Sequence, residues 1–254
     1  MLSTPQAIWI NVSPSFKFLS QPLLHYLSHH TTIACWDYHQ TPDEPCSLDT
    51  AINLLHDYLQ CCDQPLHLMG HSTGGLISLL YARKYPARVK SLSLLSVGMH
   101  PAVDWQAHYY VQRQLLSCPR ELILTQMVDH LFGSHIRMPV HRLVKILEQD
   151  LDYSLSPHSL FKRNSIASGN VEVPLLVCGG EDDIVVDQNH LGGWKDSLKP
   201  CDRLWVCPNE RHFFHFCRPR AVSQTITTFW ESLSNPLQPS LSSRMESSLG
   251  YPSV

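Results

Sequence analysis

Residues Gly70-His-Ser-Thr-Gly74 set a serine two positions from a glycine on either side. The run Leu66-His-Leu-Met69 ahead of them reads as a short buried strand, and 74–84 behind them as a helix stopped before Pro86. A strand that turns straight into a helix strains the residue at the corner, and only tiny neighbours fit two positions away. Such a corner lifts the Ser72 hydroxyl above the sheet edge. The following helix offers its N-terminus to developing negative charge, and the Thr73 N–H can donate to an oxyanion. His71, inside the turn, reads as a packing residue.

A serine hydroxyl needs a base, and the base needs an acid that orients it. Two later loops can supply them. The strand at 173–178 runs into Gly179-Gly-Glu-Asp-Asp183, so a carboxylate follows at the same sheet edge as Ser72. The strand at 203–207 runs into Pro208-Asn-Glu-Arg-His212-Phe-Phe-His215, which brings histidines to that edge. Within these loops Asp182 and Asp187 compete with Asp183, and His215 competes with His212.

The elements that must position these groups alternate along the chain. Strands are predicted at 7–12, 32–36, 66–69, 91–97, 173–178 and 203–207. Helices are predicted at 19–28, from the N-cap Ser47 onward, at 74–84, and from Pro219 to about residue 233. Strands alternating with helices imply βαβ units and a parallel sheet covered on both faces, an α/β fold. Residues 99–172 break the pattern with helical stretches at 105–116, 121–132 and 139–147 and read as a helical insertion. The expected organisation is a core of 1–98 and 173–234, this insertion, and a disordered Ser/Pro-rich tail at 235–254.

Composition removes several classes of function. Lys plus Arg is 19 and Asp plus Glu is 22, so the net charge of −3 gives no footprint for non-specific nucleic-acid binding. No apolar run is long enough for a membrane span, and the first residues lack the pattern of a signal peptide, so the expected location is cytoplasmic. Nine cysteines without a C-x-x-C spacing read as free thiols rather than a disulfide framework or zinc site, and no metal or cofactor is called for. Arg113, Arg137 and Arg142 read as solvated surface charge. Apolar insertion residues such as Trp105, Tyr109, Leu115, Leu122 and Phe132 read as packing, a few of them lining an apolar pocket above Ser72.

In three places the chain resembles the α/β-hydrolase-fold family with a helical cap: the Gly70–Gly74 turn with Tyr85-Pro-Ala-Arg-Val-Lys-Ser-Leu-Ser-Leu-Leu-Ser-Val-Gly98 behind it, Gly180-Glu-Asp-Asp-Ile-Val-Val186, and His212-Phe-Phe-His215 before Arg218-Pro219. The family's order of serine, acid and histidine implies Ser72 as nucleophile, Asp183 as acid and His212 as base. Asp104 stands where some members keep the acid instead. The resemblance also implies a mostly parallel sheet of about six strands, the chain beginning at the family's third strand. It places Asn11-Val12 at the family's His-Gly pair and Ser13 at the second oxyanion donor beside Thr73. Val12 is β-branched where the family has free backbone geometry. The implied function is a serine hydrolase acting on a small or medium apolar ester, thioester or amide. Alternatives are acyl transfer, cofactor-free elimination, or a non-catalytic binding module on the same fold.

Overall fold

The computed structural model describes residues 4–41, 43–133, 138–159 and 161–234. The predicted tail at 235–254, and Arg137, lie outside the described residues. In chain order the main elements are β1 (Ala7–Asn11), α1 (Lys17–Ser28), β2 (Ile33–Asp37), α2 (Leu48–Gln60), β3 (Leu66–His71), α3 (Thr73–Lys84), β4 (Val89–Leu95), α4 (Trp105–Leu115), α5 (Arg120–Phe132), α6 (Val140–Tyr153), β5 (Leu175–Gly180), α7 (Gln188–Gly192), β6 (Arg203–Cys207), α8 (Phe214–Cys217) and α9 (Pro219–Ser234).

The six strands form one parallel sheet in the order β2-β1-β3-β4-β5-β6. One row of it runs Ile10, Gly70, Leu94, Val177, Leu204. The carboxyl ends of these strands therefore lie along one edge, where open α/β sheets carry their sites. Alternation along β1 divides the core. Ala7 and Trp9 pack with Leu23, Leu27, Ile226 and Phe229 from α1 and α9. Ile8 and Ile10 face the opposite core, which holds Leu55 of α2, Ile77 of α3, and Trp105, Ile123 and Leu147 of the inserted helices. Both faces are covered, as a parallel sheet requires. Ser47 caps α2 by accepting a hydrogen bond from the Thr50 N–H.

The ends of some elements differ from the sequence pattern for identifiable reasons. β5 begins two residues later than the apolar run because Pro174 has no N–H to give the ladder, and it continues through Gly179 and Gly180, which pair with Val206 and Cys207. α6 runs on to Tyr153 instead of stopping at 147, because the next position on its buried stripe, after Leu143 and Leu147, is the fully buried acid Asp150. Leu115 and Leu122, expected to pack, face solvent, at 76% and 59% exposure. Among the described residues no helix is long and apolar enough to cross a membrane.

Candidate active site

The corner between β3 and α3 has the form that its glycines suggest. Ser72 sits at φ 50°, ψ −123°, a left-handed conformation that a side chain adopts only under constraint. A Cβ on Gly70 would come within 2.5 Å of the Gly74 carbonyl, and one on Gly74 would strike the Ile10 carbonyl. The Ser72 N–H donates to Leu95 O of the neighbouring strand at 2.9 Å, which ties the corner to the sheet. Thr73 opens α3, so its N–H belongs to the unpaired first turn.

The acid turn and the histidine loop are stitched to each other. Glu181 N–H donates to Cys207 O, and Asp182 N–H donates to Glu210 O, both at 2.9 Å. Asn209 N–H donates to the Glu181 carboxylate at 2.9 Å, with Asn209 itself at φ 55°. Asp183, 2% exposed, uses one oxygen to accept the N–H groups of Val185 and Val186 at 2.9 and 3.1 Å. Its other oxygen lies 2.9 Å from His212 Nδ1. An ionised carboxylate there holds the proton on Nδ1 and leaves the Nε2 lone pair free. The His212 carbonyl accepts from His71 Nε2 and from the Ser96 hydroxyl, both at 3.0 Å.

Ser72 Oγ and His212 Nε2 are both buried, and neither has a hydrogen-bond partner. They line one cavity of about 30 Å³ together with Ser13, Thr73 and Trp105. The two atoms are not bonded to each other. The space is that of about two water molecules.

The competing residues lie elsewhere. Asp104 caps α4 by accepting from the Ala107 N–H at 2.8 Å, takes the Thr73 hydroxyl at 3.2 Å, and lies 3.8 Å from His158 Nε2. Burial raises its pKa. Asp187 caps α7, and Asp182 is exposed. His215 packs on His71 with ring centroids 4.4 Å apart. Burial, reinforced by His212, pushes His215 down to about 3, and burial holds His71 well below its ordinary value. Both are neutral imidazoles at pH 7.

Ser13 N–H, the second expected oxyanion donor, points to Asn11 Oδ1 over a long 3.4 Å. The Asn11 amide donates to Asp37 at 2.7 Å, and Asp37 is paired with Lys17 at 2.8 Å. Three contributors were not singled out from sequence. Ser96, at φ 50°, holds the His212 backbone. His108 of α4 is lowered in pKa by burial and by the nearby His212. Asp150 of α6 accepts a hydrogen bond from Ser15. No local motif marks any of them. The nearest sequence signal is the place of Asp150 on the apolar stripe of its helix.

Comparison with known proteins agrees with the fold. A family profile described as alpha/beta hydrolase fold matches residues 53–117. The uncharacterized protein sll0249 of Synechocystis sp. is 47% identical over 226 residues, spanning 89% of this chain and 90% of that protein. Monoacylglycerol lipase ABHD6 of Homo sapiens is 24% identical over 220 residues, covering 74% of this chain and 62% of the lipase. Among solved structures, a membrane phospholipase A described as a bacterial virulence factor superposes with a TM-score of 0.72 at 19% identity, over 92% of this chain and 81% of that one. Naproxen esterase from Bacillus subtilis gives 0.68 at 18% identity, over 91% and 85% of the two chains. With the parallel sheet, the strained serine corner and these likenesses together, the chain belongs to the α/β-hydrolase-fold family.

Proposed function

We propose that the protein is a serine hydrolase that cleaves an apolar carboxylic ester, thioester or amide through an acyl-enzyme, with residues 99–172 as its cap. The observation that carries this reading is one cavity shared by two unpartnered buried atoms, Ser72 Oγ on its strained corner and Nε2 of a histidine held 2.9 Å from a buried aspartate. Ser72 Oγ attacks the carbonyl carbon and its proton passes to His212 Nε2. Asp183 stabilises the imidazolium and fixes its orientation. The N–H groups of Thr73 and Ser13 receive the oxyanion. Collapse expels the alcohol, thiol or amine, which takes the proton from His212, and water repeats the sequence to free the acid and Ser72. Room for about two water molecules does not admit an acyl chain, so on this reading substrate entry includes movement of the cap, whose Trp105 forms part of the cavity wall. Relatives named for monoacylglycerol and phospholipid cleavage make carboxylic esters with apolar acyl chains the first substrates to try.

The test is labelling with an alkyl fluorophosphonate alongside turnover of p-nitrophenyl butyrate. The wild type should label and turn over, and Ser72→Ala should do neither while melting at the wild-type temperature. Equal labelling of both proteins would remove the reading.

A further inference from the structure

The segment Asn11–Phe16 carries the Ser13 N–H, and it is gripped from two directions. The core holds its beginning. Tyr38 N–H donates to Asn11 O at 2.9 Å, and Asp37 takes the Asn11 side chain at 2.7 Å. The inserted helices hold the rest. Leu155 N–H, just past the end of α6, donates to Val12 O at 3.3 Å. Ser15 Oγ donates to Asp150 Oδ1 at 2.9 Å.

The first of these cap contacts acts on the oxyanion donor directly. Val12 C=O and Ser13 N–H belong to one peptide unit, which is planar and trans, so they point in opposite directions. Fixing the carbonyl on Leu155 therefore fixes the direction of the N–H. Pro14 next in the chain has a locked φ, and the turn Pro14–Phe16 closes by a bond from Phe16 N–H to Ser13 O at 3.0 Å. The direction of the Ser13 N–H is thus set by whatever holds Val12 O and Ser15.

Asp150 is placed to do the holding. It is 0% exposed. Ser15 and Ser154 donate to Oδ1 at 2.9 and 2.6 Å, while Trp105 Nε1 and Gln106 Nε2 donate to Oδ2 at 3.0 and 3.1 Å. Among the described residues no cation pairs with it. A buried carboxylate satisfied only by neutral donors keeps them all in place, since releasing any one leaves charge less solvated. Its donors come from the Ser13–Phe16 turn, from α4 and from the end of α6. Trp105, one of them, lines the cavity.

We infer that Asp150 is a positioning residue for the second oxyanion donor: the seated cap, through Asp150–Ser15 and Leu155–Val12, holds the Val12–Ser13 peptide in place, so that only while the cap is down can the Ser13 N–H exchange its long 3.4 Å contact with Asn11 Oδ1 for the oxyanion. This deepens the hydrolase reading and rests on it. Cap displacement, which admits substrate, loosens the Val12–Ser13 peptide. Cap return restores it over a bound carbonyl. The protein would then attack only after closure, a specificity device of the induced-fit kind.

The experiment compares wild type with Ser15→Ala, Ser15→Thr and Asp150→Asn. Each is measured for kcat and KM on p-nitrophenyl butyrate, for inhibition by an alkyl trifluoromethyl ketone, and for melting temperature. The ketone reports the hole because its adduct on Ser72 carries an oxyanion. Ser15→Ala should lower kcat about tenfold, a partial loss against the hundredfold or more expected for removing a donor outright. KM should stay within about twofold, ketone affinity should fall by the same factor as kcat, and Ser15→Thr, which keeps the hydroxyl, should recover most of both. Asp150→Asn should behave as Ser15→Ala or worse. Unchanged kcat and ketone affinity in a folded Ser15→Ala overturns the inference, as does a rise in KM alone, which would mean that the cap only shapes binding. In either case an active, fluorophosphonate-labelled wild type leaves the hydrolase reading standing. A wild type that neither turns over nor labels overturns both.

Discussion

On one side of the cavity, Asp183 and His212 are fixed by backbone. Their two loops exchange main-chain hydrogen bonds, Asp183 spends an oxygen on two successive N–H groups, and the His212 carbonyl is pinned by His71 and Ser96. On the other side, the segment carrying Ser13 is held by the Tyr38 and Leu155 N–H groups together with side-chain clamps. Asn11 on Asp37 and Ser15 on Asp150 form the clamps, and both acids come from elements remote in sequence. Backbone turns tolerate side-chain exchange around them and resist motion. Side-chain clamps can be built across a mobile boundary, and they fail one residue at a time. In the proposed mechanism the acid–base half is therefore the fixed one, and the oxyanion half the adjustable one.

The sharpest way to break this contrast is Asp183→Asn. The geometry of the loop should survive, but the wrong imidazole tautomer would be held, and kcat should drop by about 10⁴. The check is kcat on p-nitrophenyl butyrate with an unchanged melting temperature, and a loss below tenfold would mean that Asp183 does not orient His212. Acidification comes next and also singles out the histidine side. His215 titrates near 6.5 in the unfolded chain but only at about 3 in the fold. The unfolded state thus binds more protons across that window, so stability is present above 6.5 and is lost as the pH falls toward 3. Between pH 7 and pH 5 His215 alone should remove about 2 kcal/mol, read as a lower urea midpoint. His215→Phe should flatten that dependence, and an unaltered slope would assign it to other groups. The smallest effect is expected from Asn11→Ala, which removes both the amide held by Asp37 and the acceptor of the Ser13 N–H but leaves the cap contacts. A fall in kcat of about tenfold, with KM nearly constant, is the expected outcome. A loss matching that of Asp183→Asn would erase the difference between the two halves.

The same division explains what could be read from the sequence. The serine corner, the acid turn and the histidine loop are spelled by short runs in which glycine, proline and asparagine dictate local geometry, so the two loops could be located without coordinates, while the choice of Asp183 over Asp182 and Asp187, and of His212 over His215, came from the family resemblance. The parallel sheet followed from alternation of strands with helices, and only the ends of its strands moved, as at Pro174, where the ladder rather than hydropathy decides. Asp150 was not legible. As a lone acid on an amphipathic helix it looks like a solvated charge, and its burial follows from Ser15, Trp105 and Gln106 converging on it from distant parts of the chain. The long Ser13 contact to Asn11 was equally hidden, because sequence gives the residue and not the direction of its N–H.

The pinned carbonyl of His212 has a mechanical corollary. With two donors on that oxygen and Asp183 on Nδ1, the ring has little freedom to translate and can only swivel about its own stem. A proton carried on Nε2 would cross from one oxygen to the next by a small rotation about a fixed pivot, and the loop would not have to travel with it.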